Sequence, residues 1–340
     1  MENNRIIWID ITKVIGMYLI ILGHFYPYSL YCFIYSFSVP LFFFISGMLS
    51  AKMQESNIFI SKLYSGLAKP YLLICFSCYI LYICFTLLNP SIYGISFSNL
   101  HPIEATLNIV CGFHGYWDKS GFGMSFGCQT MWFVYTLLCC KLIYKYINCK
   151  YLKIGGGVFC LIVCLVFAQF NFHPMNGVMN TFLAYPFFFL GTKFSPYKNK
   201  PYLVNKAYMQ YVLAILLLGQ VVLSYKNGAI HMSSGKYGAS LLLCLLGGVC
   251  GTFMIILLSQ LLQNTRFFKS LIIKTISTGS IIILGFHMFI VKVIKDFALS
   301  GLTPFMYDIY SIGISIAILF LFTPIILALK KYMPSFLGDR

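Results

Sequence analysis

The sequence predicts an all-α, polytopic membrane protein of about ten transmembrane helices with both termini cytoplasmic. Three observations carry that expectation. Of 340 residues, 59% are hydrophobic and only 9% charged, with a mean hydropathy of +0.83, whereas soluble domains average about 25% charged residues. Apolar stretches near the roughly 20 residues needed to cross a bilayer recur along the chain. With the N-terminus placed inside, eighteen of the 24 basic residues fall in inner segments, only Lys119, Lys226, Lys236, Lys292 and Lys295 in outer ones, and Lys13 within the first helix. That asymmetry obeys the positive-inside rule.

The apolar stretches lie at 6–27, 31–50, 70–89, 131–148, 154–171, 178–195, 207–225, 238–262, 273–293 and 306–329. The first carries Asp10 and Lys13 early and has no small-residue cleavage site, so it is expected to be a retained helix, not a signal peptide. The second contains Pro40, expected to bend the helix and free a carbonyl, with Ser38, Ser46 and Gly47 permitting close packing. The fourth is the weakest span, because Lys141 and Lys145 lie within it. Connections are short except for the outer segment from about 90 to 130, which is rich in Gly, aromatic and polar residues and holds His101, Glu104, His114, Trp117 and Asp118. A long loop of that composition is expected to be functional. With no repeats, low-complexity tracts or soluble domain in view, residues 1–340 read as one domain.

The formal net charge of +16 comes from basic residues scattered singly, a pattern that sets membrane orientation and excludes a nucleic-acid partner. The 13 cysteines sit mostly inside apolar segments without paired spacing, predicting neither a disulfide framework nor a zinc site. The six histidines likewise show no ligand spacing, so no metal is expected.

Chemistry is concentrated in the first helix, "IDITKVIGMYLIILGHFYPY". A charge at the bilayer centre costs roughly 2.5–3.5 kcal/mol on insertion scales, so intramembrane ionisable groups point to function. Asp10 and Lys13 are one turn apart. The eleven residues from Lys13 to His24 turn about 1100°, within about 20° of whole turns, and rise about 16 Å. All three therefore share one stripe. The stripe is compatible with an ion pair and a hydrogen-bonded histidine that glue helices together, and with a reaction pathway.

The order "R…D..K…H" followed by "YSFSVPLFFFISG" closely resembles the opening of the integral-membrane acyltransferase family 3, which includes O-acetylases of bacterial polysaccharides and fucose 4-O-acetylase-like proteins. "MWFVYTLL" (131–138), "AYPFFFLG" (184–191) and "STGSIIILGFH" (277–287) are similar to later family segments, and they occur in family order. The resemblance implies a bacterial inner-membrane O-acyltransferase that moves acetyl from cytoplasmic acetyl-CoA, a donor substrate and not a bound cofactor, to a hydroxyl of a surface polysaccharide or lipid-linked glycan. It also implies a catalytic set of His24, Asp10 and Lys13, with lysine where the family commonly has arginine and its planar fork. His24 would deprotonate the acceptor hydroxyl or carry the acyl group itself. Asp10 and Lys13 are too distant along the helix to form a dyad with it and would support the donor channel. Phosphates of CoA call for cations, and the candidates are Lys62 and Lys69, before Pro70-Tyr71 where the family often has paired arginines, and Arg266. Acceptor or pocket-lining candidates are Ser38, Trp132, His287, Glu104, His114 and Asp118. The rival reading is a transporter or flippase using Asp10, Lys13 and His24 as a substrate or proton site, although "SVPLFFFISG" has no second copy.

Overall fold

The computed structural model describes residues 5–50, 58–88, 102–113, 129–147, 149–172, 176–199 and 205–338. Among them the only β pairing is two isolated bridges, Phe113 with Asn176 and His231 with Lys236. A lipid-embedded chain must satisfy every backbone amide within its own segment, and helices do so.

The chain opens with α1 (Ile7–His24), α2 (Tyr31–Tyr35) and α3 (Ser38–Ser50). A short α4 (Phe59–Leu63) runs through a π-helical turn (Tyr64–Ala68) into α5 (Lys69–Leu88). Then follow α6 (Pro102–Cys111), α7 (Trp132–Tyr146), α8 (Lys150–Gln169) and α9 (Gly177–Phe194). The C-terminal third is α10 (Lys206–Asn227), α11 (Leu241–Leu262), α12 (Leu271–Thr278), α13 (Ser280–Ala298) and α14 (Pro304–Tyr332).

Helix is present in each of the ten segments marked by the sequence. Among the described residues seven spans are long and apolar enough to cross a membrane, and the pair α12–α13, bent by 82°, would make an eighth. The two remaining segments differ for visible reasons. Helix α7 has only 15 residues, and α9 dilutes its apolar content with Asn180, Thr181, Pro186 and Lys193. Helices α8 and α10 turn Val158, Phe159, Ile162, Leu217 and Leu218 outward, apolar surface suited to lipid.

Helix α1 lies at the centre, packed against α3, α11, α12, α13 and α14, with Ile11, Val14, Met17 and Ile21 buried. The tightest crossing is that of α3 with α9. A Cβ on Gly47 would collide with the Phe188 carbonyl oxygen, and one on Gly191 with that of Phe44. The glycines that end "SVPLFFFISG" and "AYPFFFLG" thus face each other's backbones, the small-residue contact that lets membrane helices approach closely.

Two breaks shape the interior. Pro40, expected to kink a long helix, sits instead in the first turn of α3, where a missing N–H is tolerated. A turn at Ser36–Phe37 separates α2 from α3, and Tyr31–Ser50 still makes one span. The sharper break is at Gly279 between α12 and α13, where an added Cβ would come within 2.5 Å of the Ile326 side chain on α14. It places a helix start inside the protein.

Gly191→Val and Gly47→Val should each cost more than the 1–3 kcal/mol typical of an overpacked core, because backbone oxygen and not a movable side chain blocks the new atoms. The check is the melting temperature in detergent, expected to fall well below that of Gly157→Val, where an added Cβ meets nothing within 4 Å.

Candidate functional site

Both ends of α1 are tied down. At the Asp10 end, Arg5 donates Nε–H to Asp10 Oδ2 at 2.5 Å and Nη2–H to Oδ1 at 3.0 Å. Ser277 Oγ donates to the same Oδ1 at 2.6 Å. Arg5 Nη2 also donates to Lys274 O at 3.0 Å and to Thr278 Oγ1 at 3.1 Å, joining α1 to α12. At the His24 end, Tyr307 Oη donates to Phe25 O at 2.5 Å. The buried Asp308 carboxylate accepts the backbone N–H groups of Tyr28 at 2.7 Å and Ser29 at 2.8 Å.

Between these anchors α1 borders two cavities. The larger, about 520 Å³, falls in the range of small-molecule sites. Lys13 from α1, Lys62 from α4 and Lys141 from α7 line it, with Ser46 and Ser50 of α3 and Ser280 and Ile281 of the α13 start. Three cations and a helix N-terminus give this chamber the character of an anion site. Gly66 and Leu67 of the π-helical turn complete part of its wall, and π-turns are frequent at functional sites.

The smaller cavity, about 50 Å³, contains His24, Tyr35, Ser38, Thr130 and Trp132. Ile20, Phe133 and Leu284 border both cavities, so an apolar partition made of these three side chains separates the lysines from the imidazole. The His24 ring lies 5.0 Å from that of His287 and 6.4 Å, edge-on, from that of Tyr35, centroid to centroid. His24 Nδ1 is buried without a hydrogen-bond partner. Thr130 Oγ1 donates to Leu284 O at 2.6 Å, holding the start of α7 against α13. Beyond His24, Tyr31 Oη and His231 Nε2 share a hydrogen bond at 2.6 Å. Burial and the Lys236 ammonium lower the His231 pKa from its ordinary value, which favours the neutral ring near pH 7.

The structure therefore sorts the residues singled out in the sequence. His24, Ser38 and Trp132 meet in the small cavity with His287 beside it, while Lys13 and Lys62 meet in the large one. Asp10 goes elsewhere. It is paired with Arg5 and Ser277, not with Lys13, and belongs to the anchor. Lys69 starts α5 and the exposed Arg266 precedes a short turn at 267–269; neither borders these two cavities. Glu104 is half-buried on α6 and also outside both. His114 and Asp118, with most of the 90–130 segment, lie outside the described residues.

Sequence reasoning missed Lys141, Tyr35 and Ser280. Lys141 was legible by the rule that flagged Lys13, a lysine inside an apolar helix, but it read only as a weakness of the span. Tyr35 and Ser280 carried no comparable signal.

A lysine-lined chamber, an apolar partition and a buried imidazole lie side by side within the helix bundle. A family model described as an acyltransferase domain, that of acyltransferase family 3, matches residues 6–330. The chain belongs to this family and is a membrane acyltransferase. No match was found among curated proteins or among solved structures.

Asp10→Asn should lower stability by about 1–2 kcal/mol, the scale of hydrogen bonds to a charged group reduced because the Arg5 side chain is 41% exposed. The maximal rate per folded molecule should stay within about twofold, since the group touches neither cavity. Thermal melts paired with active-fraction titration separate the two effects; loss of rate without loss of stability would return Asp10 to the reaction.

Proposed function

We propose that this protein is an O-acyltransferase that takes acetyl from acetyl-CoA on the cytoplasmic side and delivers it to a hydroxyl of a cell-surface polysaccharide or lipid-linked glycan. The observation that carries this reading is the pair of adjoining cavities: a lysine-lined chamber wide enough for a small-molecule donor, and behind one apolar partition a pocket holding His24. Lys13, Lys62 and Lys141 would hold the donor's phosphates, with the pantetheine arm passing between Ile20, Phe133 and Leu284. His24 would remove the proton of the acceptor hydroxyl as its oxygen attacks the thioester carbonyl. The new C–O bond forms, the C–S bond breaks, and the proton passes from His24 to the departing thiolate. The apolar walls would exclude water, the competing acceptor.

The membrane arrangement that fits is ten crossings with both termini cytoplasmic, in a bacterial inner membrane. Lys13, Lys62 and Lys141 share one chamber and Arg5 bonds the carbonyl of Lys274, while Lys295 lies over the Tyr26 ring near His24. This is the distribution the basic-residue asymmetry calls for.

The test uses sealed vesicles with the cytoplasmic face outward, [acetyl-¹⁴C]-CoA and endogenous glycolipid. Wild type should label glycan; His24→Ala at equal abundance should lose at least about 100-fold, the lower end for a general base. Lys141→Met should raise KM for acetyl-CoA about tenfold, corresponding to one charge-assisted phosphate contact of about 1.4 kcal/mol, with kcat nearly unchanged. Equal labelling by wild type and His24→Ala would remove His24 from the reaction. An unchanged KM in Lys141→Met would remove the chamber from donor binding.

A further inference from the structure

We infer that His287 is a positioning residue for His24, fixing which of its two nitrogens is free to react. The inference rests on the reading of His24 as the catalytic base and deepens it.

Helix α13 carries His287 fully buried. Its Nδ1 lies 2.8 Å from Ile283 O and 3.1 Å from Leu284 O. A carbonyl oxygen only accepts, so Nδ1 carries the proton, and in the neutral ring Nε2 is left as a bare acceptor. That Nε2 is buried and has no hydrogen-bond partner. His24 Nδ1 is in the same condition, and the two rings are 5.0 Å apart, tilted by 49°. Two neighbouring buried nitrogens without partners are costly in an apolar setting.

One arrangement resolves both. His24 places its proton on Nδ1 and aims it at His287 Nε2, so its lone pair lies on Nε2, toward the small cavity with Ser38, Tyr35 and Trp132. A small ring rotation closes the contact, as catalytic hydrogen bonds that are loose without substrate do when it binds. The fixed tautomer matters because a free neutral imidazole favours the proton on Nε2, the form that cannot accept a proton there. His287 does for His24 what a carboxylate does in a hydrolase triad, without bringing a buried charge into the membrane.

The break at Gly279 makes this possible. An unbroken helix through 271–298 would carry His287 on another path. The 82° turn at Gly279, with Ile326 filling the space a side chain there would take, directs α13 across α1 at the level of His24.

The test is spectroscopic first and kinetic second. Protein labelled with [¹⁵N₂]-histidine is compared with His24→Ala to assign the His24 signals. Wild type should show His24 protonated on Nδ1; His287→Phe, which keeps a ring and removes the acceptor, should shift it to Nε2–H. His287→Gln, whose side-chain carbonyl can accept, should restore the Nδ1–H form. With labelled acetyl-CoA and endogenous glycolipid, His287→Phe should lose about 100-fold or more in kcat, within the cost of a wrong tautomer in a triad, with KM for acetyl-CoA within about twofold. His287→Gln should recover at least about tenfold of that loss. A His24 that is Nε2–H in wild type, or a His287→Phe protein that keeps kcat while His24→Ala is inactive, overturns the inference and leaves the catalytic reading standing. If His24→Ala is itself active, the catalytic reading fails, whatever the tautomer. Parallel loss of melting temperature, kcat and KM in both His287 variants would mean a packing role and also overturn it.

Discussion

Everything at the site depends on α1 being held at both ends by the C-terminal helices. The Arg5–Asp10–Ser277 network ties its start to α12, and the Tyr307 hydroxyl and Asp308 carboxylate tie the loop after His24 to α14. The helix itself sets the separation and shared face of Lys13 and His24, and the two anchors fix their position against the neighbouring helices. Asp308 suits this anchoring because a carboxylate that accepts two backbone amides orders a loop more firmly than a neutral acceptor does.

The central packing serves the same end. Facing glycines let α3 and α9 approach to backbone contact, and α3 then brings Ser38, Ser46 and Ser50 to the cavity walls. The break at Gly279 brings a helix start to the lysine chamber and His287 to His24. In lipid, where helix association gains little from the hydrophobic effect, such close contacts and satisfied polar groups decide the arrangement. The family-like segments are thus partly packing devices: Gly47, Gly191 and Gly279 shape the helix contacts around the two cavities.

Much of this was legible in the sequence. The helical class and the membrane setting follow from hydropathy, and the energy of placing charges in lipid singled out Lys13 and His24, which the structure places on the walls of the two cavities. The partner of Asp10 was not legible, because a one-turn spacing to Lys13 and a five-residue reach back to Arg5 both satisfy local geometry; Ser277, 267 positions away, decides it. Lys141 was hidden by its own cost, since an intramembrane lysine weakens the hydropathy signal that marks its helix. Pro40 drew attention as a kink, while the larger bend came from Gly279, whose role depends on Ile326 across the fold. The number of crossings is blurred because α7 is short and α9 carries Asn180, Thr181, Pro186 and Lys193 among its apolar residues.

In the proposed reaction the lysine chamber and the His24 pocket are two ends of one transfer path. A cryo-EM structure with a non-hydrolysable acetyl-CoA analogue tests this. The phosphates are expected against Lys13, Lys62 and Lys141, the arm crossing between Ile20, Phe133 and Leu284, and the acyl carbon in the small pocket, close enough for a hydroxyl held by His24 to attack at about 3–3.5 Å. An analogue seated away from the three lysines, or one whose acyl group stays on the lysine side of the partition, would contradict it.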